Sequence, residues 1–350
     1  MSEERILLAH GSGGKLSHDL VEQLFLKHFD NPILLQLEDS AVVDIPPAGA
    51  VTPRPVALQP RIAFSTDSYV ISPLVFPGGD IGKLAVCGTI NDIAMSGARP
   101  LWLSAGFIIE EGLLMDDLAQ IVASMAATAA SAGVQIVTGD TKVVDRGSAD
   151  KLFINTAGVG TVPPGVAISG DRAQPGDTIL LSGTIGDHGM TIMTQREGLQ
   201  FASPLESDCA PLNGLVADLL DALPLGSLRS LRDPTRGGLA TALNELATRA
   251  RAGIEIDETS LPVREAVRAA CELLGLDPLF VANEGKLVAI VAPEAADLAL
   301  ATLRAHRYGQ ESTIIGRVVE THPGRVVLQT ALGARRIVDM LVGEQLPRIC

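Results

Sequence analysis

Apolar positions along the chain follow two rhythms in turn, spacings of three and four residues and short unbroken runs, which predicts helices alternating with strands. Ser17 stands as a cap before Leu20, Val21, Leu24 and Phe29, which would share one helical stripe ended by Asp30-Asn31-Pro32. Arg61–Thr66 reads as a strand, Gly82–Met95 as a largely buried helix, Leu101–Ile109 as a strand and Asp116–Ser131 as an Ala-rich helix. Strands Val134–Thr138 and Phe153–Thr161 complete the first half. Turn residues then cluster between Val162 and Asp177, with Pro163-Pro164-Gly165 and Pro175-Gly176, and mark a domain boundary. A strand at Thr178–Ser182 restarts the pattern, and the Gly-rich turn Gly183–Gly189 opens a helix. Helices are expected near Leu212–Leu223, Gly238–Ala252 and Val263–Leu274, and strands at Lys286–Val291, Ser312–Val319 and Arg325–Gln329. Gly343 to Cys350 carry neither rhythm and include Pro347, so they read as an extended, mobile tail. The expected fold is α/β (α+β), with domains over 1–163 and 164–342 and a tail over 343–350.

Composition narrows the class of protein without changing this outline. A chain of 350 residues that is 47% hydrophobic and 19% charged has enough apolar side chain for two cores, which excludes disorder throughout. Aromatics are only 3%, so the cores must be aliphatic, and 35 Gly and 21 Pro allow many sharp turns. The net charge of −14 repels phosphate backbones and anionic lipid, an argument against nucleic-acid or membrane partners. The uncharged stretch Leu118–Gly139 is long enough to cross a bilayer, but its Ala, Ser, Thr and two Gln residues read as a helix followed by a buried strand. The start, Met-Ser-Glu-Glu-Arg, lacks the pattern of a secretory signal. Cys87, Cys209, Cys271 and Cys350 are too scattered for a Cys-x-x-Cys motif and too few for a disulfide scaffold, which fits a reducing cytoplasm.

Three groups of residues could carry chemistry. The first is His10-Gly-Ser-Gly-Gly-Lys15, where Gly13, Gly14 and Lys15 could cradle a phosphate; Leu16 departs from both common phosphate-loop patterns, leaving a lid and a plain turn equally open. The second is a set of aspartates bracketed by apolar sequence: Asp39, Asp67, Asp140 and, most tellingly, Asp92. A lone aspartate of this kind is usually a cap, a turn or an ion-pair partner, but several together can hold hard cations that bridge nucleotide phosphates. Asn91 beside Asp92 could position a phosphate or a water. In the second half Asp187 and His188, and Asp233 and Arg236, lie where backbone donors at a helix start could bind an anion. Glu284, in Ala282-Asn-Glu-Gly-Lys286 at a strand mouth, is either a general base or a loop ion pair. The third is Cys350, either an incidental residue or a tethered thiol carrier whose tail supplies a high effective concentration.

The loop His10-Gly-Ser-Gly-Gly14, Asn91-Asp92, Gly139-Asp140-Thr141-Lys142, Asn283-Glu284-Gly285-Lys286 and the ending Pro347-Arg-Ile-Cys350 together closely resemble the HypE family, the carbamoyl dehydratases of [NiFe]-hydrogenase maturation. The resemblance covers essentially the whole chain, and its C-terminal Pro-Arg-Ile-Cys is the most specific part. The wider superfamily includes aminoimidazole ribonucleotide synthetase, selenophosphate synthetase and thiamine-monophosphate kinase.

The resemblance implies a two-domain fold and a homodimer in which N-terminal sheets join into a barrel, with ATP bound near the interface. It implies Mg²⁺ held by Asp39, Asp67, Asp92 and Asp140, with Asp233 a further ligand, and nucleotide contacts from Gly13, Gly14, Lys15, Asp67, Asn91, Gly139, Asp140 and Thr141. Cys350, Glu284 and Lys142 are the implied catalytic residues. A carbamoyltransferase, HypF, would load Cys350, ATP would drive dehydration of the S-carbamoyl group to a thiocyanate, and a HypC–HypD complex would receive cyanide on iron. Two other readings remain at this point: a small-molecule kinase or synthetase of the same superfamily, which has no need of Cys350, and a thiol scaffold that cleaves no ATP.

Overall fold

The computed structural model describes residues 6–11, 13–29, 31–45, 60–199, 201, 204–341, 346 and 348–350. The first sheet contains β1 (Ala41–Asp44), β2 (Arg61–Tyr69), β5 (Arg99–Glu110), β6 (Gln135–Val144) and β7 (Leu152–Val162), in the order β1-β2-β7-β5-β6. A short hairpin of β3 (Val75–Phe76) and β4 (Gly79–Asp80) leads into helix α3. All pairs in this sheet are antiparallel except β5 with β6, which are joined by a helical crossover, as parallel neighbours must be. That crossover is α4 (Met115–Ser131); α3 (Ile81–Met95) packs on the same sheet and is buried on nearly every side. Asp80 caps α3 by accepting the Lys83 N–H at 2.9 Å.

The N-terminal helical segment, α1 (Lys15–Leu20) and α2 (Leu26–His28) around a π-type turn at Val21–Phe25, starts at Gly14 and not at Ser17. Ser17 lies inside α1, and its hydroxyl accepts the Gly13 N–H at 2.9 Å. The expected stripe stays largely in solvent, with Leu24 44% and Phe29 61% exposed; Asp30 lies outside the described residues.

The second sheet has seven strands in the order β14-β13-β10-β12-β8-β11-β9. These are β8 (Thr178–Leu181), β9 (Leu228–Arg232), β10 (Gly253–Asp257), β11 (Val288–Val291), β12 (Thr313–Val319), β13 (Val326–Gln329) and β14 (Arg335–Val338), with only β10 and β13 parallel. Helices α5 (Asp187–Arg196), α6 (Asn213–Ala222), α7 (Gly238–Ala250), α8 (Glu265–Leu274) and α9 (Ala296–Ala305) surround it. In β11 every residue is buried because the faces belong to different cores: Val288 and Ile290 pack with α7, and Ala289 and Val291 with α6 and α9. No helix among the described residues is long and apolar enough to cross a membrane.

Two expectations change. The strand expected to end at Thr138 continues to Val144 because its parallel ladder with β5 runs on through Gly106–Asp140, Phe107–Thr141 and Ile108–Lys142. Asp140 therefore lies within a strand, not at its end. That strand, expected to be buried, is the exposed edge of the sheet in a single chain. The tail also differs from expectation at its end, because Ile349 is 3% exposed in the first core and Cys350 packs beside it. Val342–Gln345 and Pro347 lie outside the described residues.

Helix α3 approaches α4 so closely at Gly82 that an added Cβ would stand 2.5 Å from the Ile121 carbonyl oxygen and 2.7 Å from Met125 Cγ. Gly82→Ala is expected to lower unfolding stability by about 1–3 kcal/mol, since backbone cannot yield as a side chain can. Denaturant unfolding measures this, and an unchanged midpoint would show that the helices separate freely.

Candidate active site

A cavity of about 470 Å³ lies between the two sheets. Asp67 reaches it from β2, Asp92 from α3, Asp39 from the turn before β1 and Asp233 from the end of β9. Asp92 accepts a hydrogen bond from the Ser65 hydroxyl at 2.7 Å, and that serine also donates to the Asp39 carbonyl at 3.2 Å. Alternation along β2 thus turns Ser65 inward to hold two carboxylate-bearing segments together. Asp233 is 7% exposed, and its Oδ2 has no hydrogen-bond partner.

Three of these carboxylates, Asp39, Asp92 and Asp233, are held above their ordinary pKa range. For Asp92 the cause is burial first, then the nearby Asp233, Asp67 and Asp39. Asp39 is raised by burial against the opposing Arg232. Burial also lifts Asp233 to about 6, with Arg232 again opposing. Like charges crowded out of water require a cation or protons. Asp39, Asp67, Asp92 and Asp233 fit a divalent ion in donor chemistry and in the unpartnered Asp233 oxygen, although no three such groups converge in coordinating geometry among the described residues.

Two arginines oppose the charge. Arg232 Nε lies 3.1 Å from Asp39, its Nη2 pairs with Glu245, and Glu245 accepts from His18 at 2.9 Å. The pattern of the sequence missed this ladder; the only hint was Arg232 immediately before Asp233 at a strand end. Arg236 Nη2 lies 3.9 Å from Asp67, and Arg236 also donates to the Gly11 carbonyl at 3.2 Å. Gly13, at φ +76°, must be glycine here, since a Cβ would lie 2.8 Å from Arg236 Cβ. Leu20, Val21 and Phe25 give the cavity an apolar wall.

Glu284 and Cys350 also line the cavity. Glu284 is 3% exposed, its Oε1 has no partner, and burial raises its carboxyl well above the ordinary range, with Cys209 and Asp233 adding. Its backbone N–H is held by Asp208 at 3.0 Å, and Asp208 pairs with Lys286 at 3.1 Å. Burial likewise pushes the Cys350 thiol up, with Arg236 opposing.

Several expected site residues lie elsewhere. Asn91 is 1% exposed and faces the second half of the chain, donating to the Ala210 carbonyl at 3.1 Å and accepting the Leu212 N–H at 2.8 Å. Its amide fastens α3 to that segment and does not line the cavity. Lys15 is exposed, and its backbone N–H donates to the Leu341 carbonyl; Gly14 caps α1. Gly139, Asp140, Thr141 and Lys142 lie on the edge strand, where Lys142 pairs with Asp140 at 2.8 Å in solvent. Asp187 is buried, accepts the Thr184 hydroxyl and lies 3.6 Å from Arg264, so it is not an open anion site. His188 is fully buried against the tail.

The N-terminal domain of AIR synthase related proteins matches residues 38–162, and their C-terminal domain matches residues 174–329. The chain is 56% identical over 343 residues to the carbamoyl dehydratase HypE of Azotobacter vinelandii, covering 98% of this chain and 96% of that one. The chain belongs to the carbamoyl dehydratase HypE family. A crystal structure of HypE in complex with ATP is similar at a TM-score of 0.80 and 53% identity, over 99% of this chain and 100% of that one. A HypE–HypF complex is similar at 0.84 and 48%, over 92% and 99%. The two family models cover the first sheet, all of the second but β14, and all four cavity aspartates, so the cavity belongs to the shared architecture.

The Asp233 carboxyl stabilises the fold while protonated, and that contribution is lost as pH rises from 3.8 through about 6. In a chelating buffer, the stability of the protein relative to Asp233→Asn should therefore fall across this window by about 1–3 kcal/mol. Added Mg²⁺ should reduce that fall. Thermal melts of both proteins at each pH read the difference, and a constant offset would show that Asp233 is compensated within the protein itself.

Proposed function

We propose that this protein uses ATP to dehydrate an S-carbamoyl group carried on Cys350 to a thiocyanate, a source of cyanide for the iron of [NiFe]-hydrogenase. The observation that carries the reading is that Cys350 and Glu284 line the same cavity as the four aspartates and Arg236. A kinase for a free small molecule would have no use for a cysteine in that position.

ATP is taken as the occupant of the cavity, with Leu20, Val21 and Phe25 against its base and its phosphates toward the carboxylates. Asp39, Asp67, Asp92 and Asp233 would hold Mg²⁺, which supplies charge neutralisation for phosphoryl transfer. The carbamoyl oxygen attacks the γ-phosphorus, and the bond to the ADP oxygen breaks. The carbamoyl oxygen leaves as phosphate while nitrogen loses its two protons, and the carbon on sulfur becomes a nitrile. Glu284 is the base for those protons: its burial raises its proton affinity, and its unpartnered Oε1 is free to accept one. Arg236 offers charge to the developing phosphate, within reach of both Asp67 and the thiol side of the cavity.

The outer face and edge of the first sheet support a homodimer. Phe64, Trp102 and Ile108 are 44–49% exposed, and the ten-residue edge β6 has no neighbour on its outer side among the described residues. In a dimer the edge strand of a second copy would bring Asp140, Thr141 and Lys142 toward this cavity, and Lys142 would act there on Glu284 or on the leaving phosphate. The carbamoyl donor is HypF, the acceptor of cyanide a HypC–HypD complex, and the setting the cytoplasm.

Glu284→Gln should slow ATP-dependent loss of one water from carbamoylated protein by roughly 10²–10⁴, seen by intact mass, with ATP still bound. Normal water loss would remove Glu284 from the mechanism. Mixing Glu284→Gln with Lys142→Ala should restore part of the activity that each lacks, because mixed dimers contain one intact composite site. No recovery would confine the site to one chain.

A further inference from the structure

The sequence placed His188 at an anion-binding turn, and the proposed chemistry gives it no role. In the structure its side chain is fully buried, with Nε2 2.9 Å from the Ile349 carbonyl and Nδ1 2.8 Å from the Ser207 hydroxyl, and it stacks edge-on with Phe76. The Ile349 carbonyl can only accept, so Nε2 carries the proton and donates to the tail while Nδ1 accepts from the Ser207 hydroxyl. Around it the tail meets a complete set of backbone contacts. The Val70 and Ser72 N–H groups donate to the Cys350 and Arg348 carbonyls at 3.3 and 3.4 Å, extending the line of β2. Arg196 donates to the carbonyls of both Ser72 and Arg348. The Ile349 side chain enters the first core, and Arg348 pairs with Asp150.

This cradle reads three carbonyls, one isoleucine and one arginine. None of these contacts depends on what the Cys350 sulfur carries. The same contacts place the free thiol inside the cavity, away from a carbamoyl donor outside it. A docked tail is thus ready for dehydration but closed to loading.

We propose that His188, with Arg196, is a positioning residue whose bond to the Ile349 carbonyl holds the last three residues in the cavity, and thereby sets the balance between loading Cys350 and dehydrating its carbamoyl group. The proposal rests on the dehydratase reading for its second half only. Weakening the cradle must move the two steps in opposite directions, which a general loss of structure would not do.

The test compares wild type, His188→Ala, His188→Gln and Ile349→Ala, the last altering only the tail. In unmodified protein, the rate of Cys350 alkylation by iodoacetamide is followed on the C-terminal peptide. In carbamoylated protein, single-turnover water loss is followed at saturating ATP, together with ATP affinity. His188→Ala and Ile349→Ala should alkylate roughly tenfold faster and lose water several-fold more slowly, as expected for the loss of one docking contact. ATP affinity should be unchanged, and Gln, which can donate to the same carbonyl, should move both rates back toward wild type. Equal alkylation rates in all four proteins would overturn the cradle. Faster alkylation with unaltered water loss would overturn its role in positioning. If wild type itself loses no water, the dehydratase reading fails, and the alkylation rates alone decide whether the cradle exists.

Discussion

Uncompensated negative charge in the seam between the two sheets is the constraint on which the rest of this structure depends. Asp39, Asp67, Asp92, Asp233, Glu245 and Glu284 all line one cavity, and the cations lining it are Arg232, Arg236 and the partly exposed His18. Burial alone would make such a set unfavourable, and each carboxylate raises the pKa of its neighbours. The protein tolerates this because the groups come from separate rigid elements whose own packing is secure. Asp92 projects from a helix buried almost all round, and Asp233 follows β9, whose last residue, Arg232, is paired with Val288 of β11. The aliphatic cores supply the stability that the acidic seam consumes.

The same seam explains why neither half makes a site alone. Arg232 leaves the second sheet to meet Asp39 before β1, and Glu245 leaves α7 to meet His18 of α1. Asn91 of α3 is bound to the backbone at Ala210 and Leu212, and Glu284 takes its position from Asp208 and Lys286. Polar groups used in this way give orientation more than net stability, because each buried bond replaces one made to water. What they gain is a fixed distance between carboxylates on the first sheet and the acid at the mouth of β11.

Legibility in the sequence followed the same physics. Asp92 stood out as a charge inside an apolar helix, which carries a cost that needs a compensating purpose, whereas Asp233 was marked by its place before a helix start and Glu284 by its place beside Asn and Gly at a strand mouth. The ladder of Arg232, Glu245 and His18 did not stand out, since its members are ordinary surface residues until the fold brings them together over more than two hundred positions. Strand and helix alternation located most elements, but β1, the β3–β4 hairpin, β9, β10, β14 and α9 are short or weakly patterned and went unpredicted. Asp140 was expected just beyond a strand ending at Thr138, yet the strand runs on, and at Gly139 a Cβ would stand 2.2 Å from the Ala105 carbonyl oxygen. A local pattern cannot show that a parallel partner continues to pair.

The tail completes the logic of the seam. A substrate attached to the chain needs no affinity of its own; it needs a docked state that is populated but not permanent. Ile349 provides the apolar part of that docking and the backbone carbonyls the polar part, so the cavity receives only the sulfur and what it bears. Because Arg236 faces the thiol side while Asp67 faces Arg236, the charge that would pull the thiol toward thiolate is already partly spent on a carboxylate. Burial thus opposes ionisation of the docked free thiol. Loading the sulfur with a neutral carbamoyl group removes that ionisation altogether and presents an oxygen, rather than a thiolate, to the phosphate side of the cavity. One cavity can thus hold a nucleophilic amino acid beside ATP without a side reaction, provided that the residue is loaded outside and dehydrated inside.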